Sequence, residues 1–549
     1  MGNAQSVSVA IVGAGPGGLA AAMLLASSGA RVEVYEAHER IGGRTARISL
    51  GEYHFDRGPT FFLMPYVLDE IFAATGRRLS DYAELTRLDP MYRLVMAREG
   101  QSDLTIDCTQ DVAEMSKRLA AIDPRDGAAF AKFLGDNRAK LRAFEPVLRS
   151  PYRSMADLID PKLVKAGPHL SPGKSVHAML GKYFSSPYTK LAMSFQTKYL
   201  GMSPFSCPSL FTILPYIEYE YGVWHPRGGC NALMTAMAEA CVEMGVKIHT
   251  GAPVQRLTFD GPRVRGVVVG GVERRADHVV MNADAAWALK NLVPASNRAS
   301  WSNAKLDKMG YSCSTAMLYL GIKGKVDLAH HTIRIAADYK KNIDQIAVTM
   351  ELSDDPSVYV CNPTRTDETL APKGDSALYV LVPTPNQKSG IDWNDTSPKG
   401  AAALTRERAL DRISALIGED IRPRIVRESA ITPAGWAADN IAFGATFNLA
   451  HNLTQMLCFR PQHHLPDTKN LWLVGGGTHP GSGLPVIFLS SQITARLLCE
   501  ESGLAMPRPR SVHERVMGAG LEDAAAGQGR SGGTGGSGVL AGAGSSGGV

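Results

Sequence analysis

The 549-residue sequence contains no run of 18 or more consecutive apolar residues, so no segment reads as a membrane-spanning helix. Its start, MGNAQSVSVAIVG, has no basic n-region, and the apolar part reads as a first strand. The expected place of the protein is therefore the cytoplasmic side, with any membrane contact peripheral. Net charge is also scarce: 58 Lys and Arg against 53 Asp and Glu give a formal +5. That is too little for a nucleic-acid-binding surface, though it is compatible with an anionic membrane face. Eight cysteines (Cys108, Cys207, Cys230, Cys241, Cys313, Cys361, Cys458 and Cys499) are scattered without a CxxC pair. This excludes a sequence-evident disulfide framework or zinc motif and points to reduced thiols. No Ser/His/Asp arrangement and no metal-ligand cluster stand out either.

Apolar residues make up 44% and charged residues 20%, ordinary values for a globular protein, over a length that suits two or three domains. Glycine carries the signal. VSVAIVG (7–13) reads as a strand, 17–29 as a small-residue helix and RVEVYE (31–36) as a second strand, together a βαβ unit. Between the first strand and the helix lies Gly13-Ala14-Gly15-Pro16-Gly17-Gly18, which satisfies GxGxxG. The first glycine permits the tight turn and the second lets a pyrophosphate approach the backbone. The third brings helix and strand together. Glu36 follows 18 residues after Gly18, placed for ribose hydroxyls, and an acid there repels a 2′-phosphate. A dinucleotide is expected, and NADP is disfavoured.

A second glycine turn, VGGGTHPGSGLPVIFLSS (474–491), comes more than 450 residues later and again runs from strand to helix. Between the two lie helical stretches from about 110 to 190 and an aromatic, Met-rich segment at 191–224. A glycine turn and helix follow at 226–244, then β-rich segments at 246–280. From about 310 to 450, strand-like runs such as ALYVLVPTP (377–385) alternate with helices such as 403–418. After Leu498 the periodicity fades, and 517–549 is dominated by Gly, Ser and Ala, as in a disordered tail.

Ile41-Gly42-Gly43-Arg44 and Phe55-Asp56-Arg57-Gly58-Pro59-Thr60 follow the ribose acid in the manner of FAD-dependent amine oxidases, which favours FAD over NAD. With SFQTKYLGMSPFSCPSL, YGVWHPRGG, GAPVQRL, ADHVVMNAD and VGGGTHPGSGLP, the chain over 7–500 resembles the carotenoid (phytoene) desaturases of the bacterial and fungal type, within the flavin amine-oxidase superfamily. One departure bears on subfamily and substrate: Pro485-Val486-Ile487 stands where many members read Pro-Gly-Val.

The resemblance implies an α/β fold in which a Rossmann-like FAD-binding domain interleaves with a substrate domain of mixed sheet and helices. The expected segments are FAD-binding at 1–105, 226–300 and 466–500, substrate domain at 301–465, a helical, aromatic, membrane-facing region at 106–225, and the tail at 501–549. It also implies that the second glycine turn returns to the first, so that both hold one FAD. Gly13, Gly15, Gly17, Gly18, Glu36, Gly42, Gly43 and Arg44 would hold the dinucleotide. Val254 would meet the adenine side. Gly475, Gly476, Gly477, Thr478, Gly483 and Leu484 would line the flavin ring, where a helix N-terminus favours negative charge.

The implied activity is desaturation of a long, apolar isoprenoid, with hydride passing to the flavin and quinone or oxygen as final acceptor. A carotenoid oxidase or isomerase, and a non-catalytic lipid-binding protein of the same fold, are alternatives. Candidate assisting groups are Asp56, Arg57 and His479; for Asp56 a structural carboxylate, and for His479 a backbone-bonded imidazole, are the competing roles. The aromatics of 191–224, among them Phe195, Tyr199, Phe205, Phe211, Tyr216, Tyr219, Tyr221 and Trp224, suit either a greasy tunnel reaching a lipid surface or a core between domains.

Overall fold

The structure, a computed structural model, describes residues 7–507. Strand Ser8–Val12 is the middle of a five-stranded parallel sheet. It pairs on one side with Arg31–Tyr35, beyond which lies Lys247–His249, and on the other with His278–Met281, beyond which lies Leu471–Leu473. Its near-continuous apolar run, SVAIV, is what a strand covered on both faces requires. Helix Pro16–Ser27 follows, with proline in its first turn, and packs closely because its strand-facing residues are small. A Cβ on Gly18 would lie 2.1 Å from the Gly13 carbonyl oxygen, so only glycine permits this approach.

Helix Leu484–Ser502 lies beside Pro16–Ser27, and the Ser491 hydroxyl donates to the Gly17 carbonyl at 2.9 Å. The helix runs four residues past Leu498, where the sequence periodicity fades, and Gly503 (φ +68) terminates it. The tail expected at 517–549 lies outside the described residues.

The second sheet has seven strands in the order Ile425–Ile431, Ser314–Ile322, Ser376–Thr384, Val358–Cys361, His331–Arg334, Tyr92–Arg98 and Gln101–Cys108. All its pairs are antiparallel except His331–Arg334 with Tyr92–Arg98. Helix Ala401–Ile417 covers one face through Ala409, Leu410 and Ile413. The division expected at residue 105 therefore cuts through a strand, and both strands of 92–108 belong to the second sheet. Alternating apolar residues announce a strand, but they do not say which sheet it joins. A separate three-stranded antiparallel sheet, Val254–Asp260, Arg263–Val269 and Val272–Arg275, interrupts the return to the first sheet.

The stretch from 112 to 221 is largely helical, with the 25-residue helix Pro124–Leu148 capped by Asp123. Within 191–224, Phe195, Phe211, Tyr216 and Tyr219 are buried in the main core. The core alternative is the observed one for Phe211, Tyr216 and Tyr219, while Phe195 is buried in the core and also borders the cavity described below; none of the four presents an exposed surface. Rings from earlier segments cover them, as in the edge-on pairs Phe130–Tyr219 and Tyr92–Phe195.

Candidate active site

A cavity of about 480 Å³ opens between the two main sheets. One part of its wall comes from the first glycine turn and its surroundings: Gly13, Gly15, Glu36, Gly43, Arg44 and Val254. Gly475, Gly476, Gly483 and Leu484 of the second turn line the same cavity. The two turns thus meet at one space, and the N-termini of two helices, Pro16–Ser27 and Leu484–Ser502, border it. Their unpaired N–H groups and dipoles make this wall favourable for anions.

The remaining expected residues stand behind the wall. A Cβ on Gly17 would meet Asn282 Oδ1 at 2.5 Å, and one on Gly477 would meet Ala285 Cβ at 2.6 Å. Gly42 takes φ +105 in the turn before Gly43–Thr45. Thr478 is fully buried. These positions shape the backbone; they do not line the cavity.

Glu36 is buried, and its carboxylate accepts from the Ala14 N–H (2.8 Å) and the His38 N–H (3.0 Å). A carboxylate has about four acceptor sites, so capacity remains toward the cavity for hydroxyl donors. Arg44 faces the same space with Nη1 lacking any hydrogen-bond partner. It lies 3.9 Å from Asp284, and burial lowers the guanidinium pKa while raising that of Asp284. The Asn448 amide joins the two: its nitrogen donates to Asp284 (2.7 Å) and its oxygen accepts from Arg44 Nη2 (3.0 Å). Spare acceptors on Glu36, a guanidinium nitrogen that makes no hydrogen bond and a glycine cradle too tight for Cβ atoms together fit a dinucleotide with ribose and phosphate groups.

Three residues that the sequence did not single out fix this geometry. Asn282, in the quoted ADHVVMNAD, donates to the Gly13 carbonyl at 3.1 Å and lines the cavity. Arg460 is fully buried, with its charge spread over the carbonyls of Leu449, Ala450, Gln455 and Gly476, the last at 3.0 Å. Burial brings its pKa down to about 9. His451 Nε2 accepts from the Ser482 N–H at 3.0 Å, and burial keeps the ring neutral by pushing its pKa well down. Arg460 and His451 hold the second glycine turn from behind. No local motif announces them, because Arg460 reaches Gly476 across 16 residues and His451 reaches Ser482 across 31.

Of the candidate assisting groups, only Arg57 lines the cavity. It is ion-paired to Asp439, with Trp436 beneath it at 4.8 Å. Asp56 is turned away: its two oxygens accept from the N–H groups of Cys230 (2.9 Å) and Asn231 (3.0 Å), capping helix Cys230–Glu243. Burial raises its pKa to about 6 against the opposing pull of those bonds. His479 is buried beside the Val147 carbonyl at 3.3 Å, its pKa depressed to about 4 by burial. It does not reach the cavity.

The rest of the wall is apolar and aromatic, including Phe61, Phe195, Met317, Leu381 and Phe447. Tyr199 adds a polar edge: its hydroxyl donates to Glu218 Oε1 at 2.8 Å, while Tyr92 (2.8 Å) and Gln196 (2.9 Å) bond to Oε2. Glu218 is fully buried, and desolvation lifts its pKa to about 7 despite these three bonds. Lys198 also lines the cavity, over the Tyr339 ring at 4.9 Å, and burial drops its pKa to about 7.

The sequence profile of the family "Flavin containing amine oxidoreductase" matches residues 16–499. A 4,4'-diapophytoene desaturase of Methylomonas sp is 42% identical over 91% of this chain and 96% of its own length. The chain belongs to the flavin amine oxidoreductases, in their carotenoid desaturase family. It is a FAD-dependent oxidoreductase. A zeta-carotene-forming phytoene desaturase of Myxococcus xanthus is 37% identical over 90% of this chain and 94% of its own. Among solved structures, cyclohexylamine oxidase from Brevibacterium oxydans shares the fold with a TM-score of 0.55, at 17% identity over 91% of this chain and 100% of that one. At that identity only the fold is shared, which here is the parallel FAD-binding sheet with a mixed second sheet.

Proposed function

We propose that this carotenoid desaturase family member introduces double bonds into a long, apolar isoprenoid of the phytoene or 4,4'-diapophytoene type, as a step in carotenoid biosynthesis. The observation that carries the reading is one cavity with two chemistries. A glycine, carboxylate and arginine wall suits a dinucleotide, and an adjoining aromatic wall suits a hydrocarbon. Relatives whose names state diapophytoene and phytoene desaturation support it. Bound FAD supplies the hydride acceptor.

In this reading Gly13 and Gly15 admit the pyrophosphate, with Gly17 and Gly18 setting the helix behind them. Glu36 binds ribose hydroxyls, Val254 meets the adenine side, and Gly42 and Gly43 place Arg44 at the phosphates. Gly476, Gly477, Thr478, Gly483 and Leu484 shape the ring end. Phe61, Phe195 and Phe447 exclude water and orient the chain of the substrate, which offers no polar handle. The Arg57–Asp439 pair steadies the cavity edge. Quinone or oxygen would take the electrons.

A substrate of this class dissolves in lipid. No helix among the described residues is long and apolar enough to cross a membrane. Peripheral contact is better supported at an exposed apolar patch than at 191–224: Met155, Ile159 and Val164, with Phe459 beside them through the Met155–Cys458 contact at 3.9 Å. Ile159 is 79% exposed; Asp157 and Asp160 flank it in sequence, and Lys162 and Lys165 follow.

Expression in colourless hosts accumulating phytoene or 4,4'-diapophytoene, with chromatography of the extracted pigment, tests the reading. New conjugated, red-shifted products establish desaturation, and the better host names the carbon number. Unchanged precursor in both, with FAD-loaded protein present, overturns it; preformed polyenes then become the substrates to try.

A further inference from the structure

Within the second sheet, His331 of strand His331–Arg334 lies directly across from Cys361 of the neighbouring strand Val358–Cys361. His330 precedes the strand, and its ring lies 4.5 Å from that of His331. One ring nitrogen of each histidine and the Cys361 sulfur all lie within 4.8 Å of one another, and all three residues are buried. A buried imidazole ordinarily satisfies both nitrogens. Here each satisfies one: His330 Nδ1 bonds the Thr366 hydroxyl at 2.9 Å, and His331 Nδ1 bonds the Tyr359 hydroxyl at 2.7 Å. Both Nε2 atoms lack a partner. One nitrogen held by an oxygen and the other left free is how protein histidines are arranged around metals.

We propose that His330, His331 and Cys361 form a binding site for a divalent transition-metal ion of the zinc type, with a fourth position for water. Imidazole and thiolate are the ligands such a borderline-soft ion prefers. Bonds of about 2.0–2.3 Å imply ligand-to-ligand spacings of about 3.3–3.8 Å, so closing on an ion draws the three groups together by up to about 1.5 Å. Binding breaks the Cys361 S–H bond and releases its proton as the sulfur–metal bond forms, with no change of oxidation state.

His330 also lines a second, outer cleft with Asp89, Asp107 and Asp327 and with Arg87, Arg93 and Arg365. On the inner side His331 stacks on Phe61 at 4.1 Å, and both Phe61 and Tyr359 line the main cavity. The ion would clamp two strands and thereby fix two cavity side chains. His225, edge-on to His330 at 4.7 Å and held by Asp367 at 3.1 Å, places a carboxylate nearby to offset the added charge.

The test is elemental analysis of the full-length, FAD-loaded protein as isolated, followed by chelation and titration with Co²⁺. Expected are about one first-row transition-metal ion per chain, and cobalt bands in the red, beyond the flavin absorption, with a thiolate charge-transfer band in the difference spectrum. Cys361→Ser should abolish the charge-transfer band and His331→Gln the stoichiometric binding. Tyr359→Phe should weaken binding by about 10- to 100-fold. Less than about a tenth of an ion per chain, both as isolated and after reloading, overturns the proposal. So does stoichiometric metal that Cys361→Ser and His331→Gln leave in place. Should those variants fail to fold, the wild-type cobalt spectrum decides: a thiolate band supports the site, and its absence overturns it.

Discussion

Ser491 and Gly17, 474 positions apart, are joined by a 2.9 Å hydrogen bond from the serine hydroxyl to the glycine carbonyl. Through that contact the helix after the last glycine turn is fastened to the helix after the first. Ile487 packs where a Cβ on Gly17 would sit, at 3.1 Å. The two turns therefore act as one wall, and removing chemistry from either should be felt by the same ligand.

Glu36→Gln is expected to weaken FAD binding by about 10- to 100-fold, the effect of losing one charged hydrogen-bond acceptor of about 1.5–3 kcal/mol. The ratio of flavin to protein absorbance after gel filtration reads it. Full retention of flavin would remove Glu36 from the cofactor site.

Glu218 sets a pH dependence. Its pKa is raised from 4.5 to about 7, by burial first, with the bonds from Gln196, Tyr199 and Tyr92 opposing. Between those values the folded state holds a proton that the unfolded state has lost. The stability Glu218 contributes is thus fully present below 4.5 and is lost as the pH rises toward about 7. Against Glu218→Gln, which cannot titrate, wild type should lose ground in melting temperature between about pH 5 and about pH 8. A constant difference would show that Glu218 is ionised throughout.

Lys198 runs the other way, being a cation whose pKa burial lowers from 10.5 to about 7. The folded state resists its charge, so Lys198→Met should raise the melting temperature at neutral and lower pH. The gain should fade as the pH approaches 10.5, where the unfolded chain also loses the proton. Thermal melts across that range check both the sign and the fading.

Ile159→Glu probes the exposed patch. With Ile159 79% exposed, stability should change by no more than about 0.5 kcal/mol. Sedimentation with liposomes should fall by about 10- to 100-fold in partition coefficient, matching the loss of one fully inserted side chain worth about 1.5–3 kcal/mol. Unaltered sedimentation would place membrane contact elsewhere.

The βαβ unit, both glycine turns and Glu36 were legible because each is a short-range pattern with a backbone reason. Spacing fixes the turn, the strand run fixes the sheet, and the acid lies one strand away. Asp56 and His479 sit within motifs as well, and each takes the structural role that its position also allowed, pointing into backbone donors or acceptors behind the cavity. Arg460, His451 and Glu218 were invisible, since a buried charge is defined by the carbonyls and hydroxyls around it, brought from several elements. His330, His331 and Cys361 show no ligand spacing, because strand pairing brings them together across 30 residues of sequence.

The order of strands in the first sheet has a consequence for how the protein is made. Strands begun at Ser8 and Arg31 gain neighbours at Lys247 and His278, and the outer edge closes only with Leu471–Leu473. A chain leaving the ribosome from its N-terminus holds an unfinished edge, with an exposed helix face over Pro16–Ser27, until synthesis has passed Ser502. Folding of the nucleotide-binding half thus waits for the last helix. A stall or truncation anywhere before the last helix should leave a species that chaperones retain, however complete its remaining sequence.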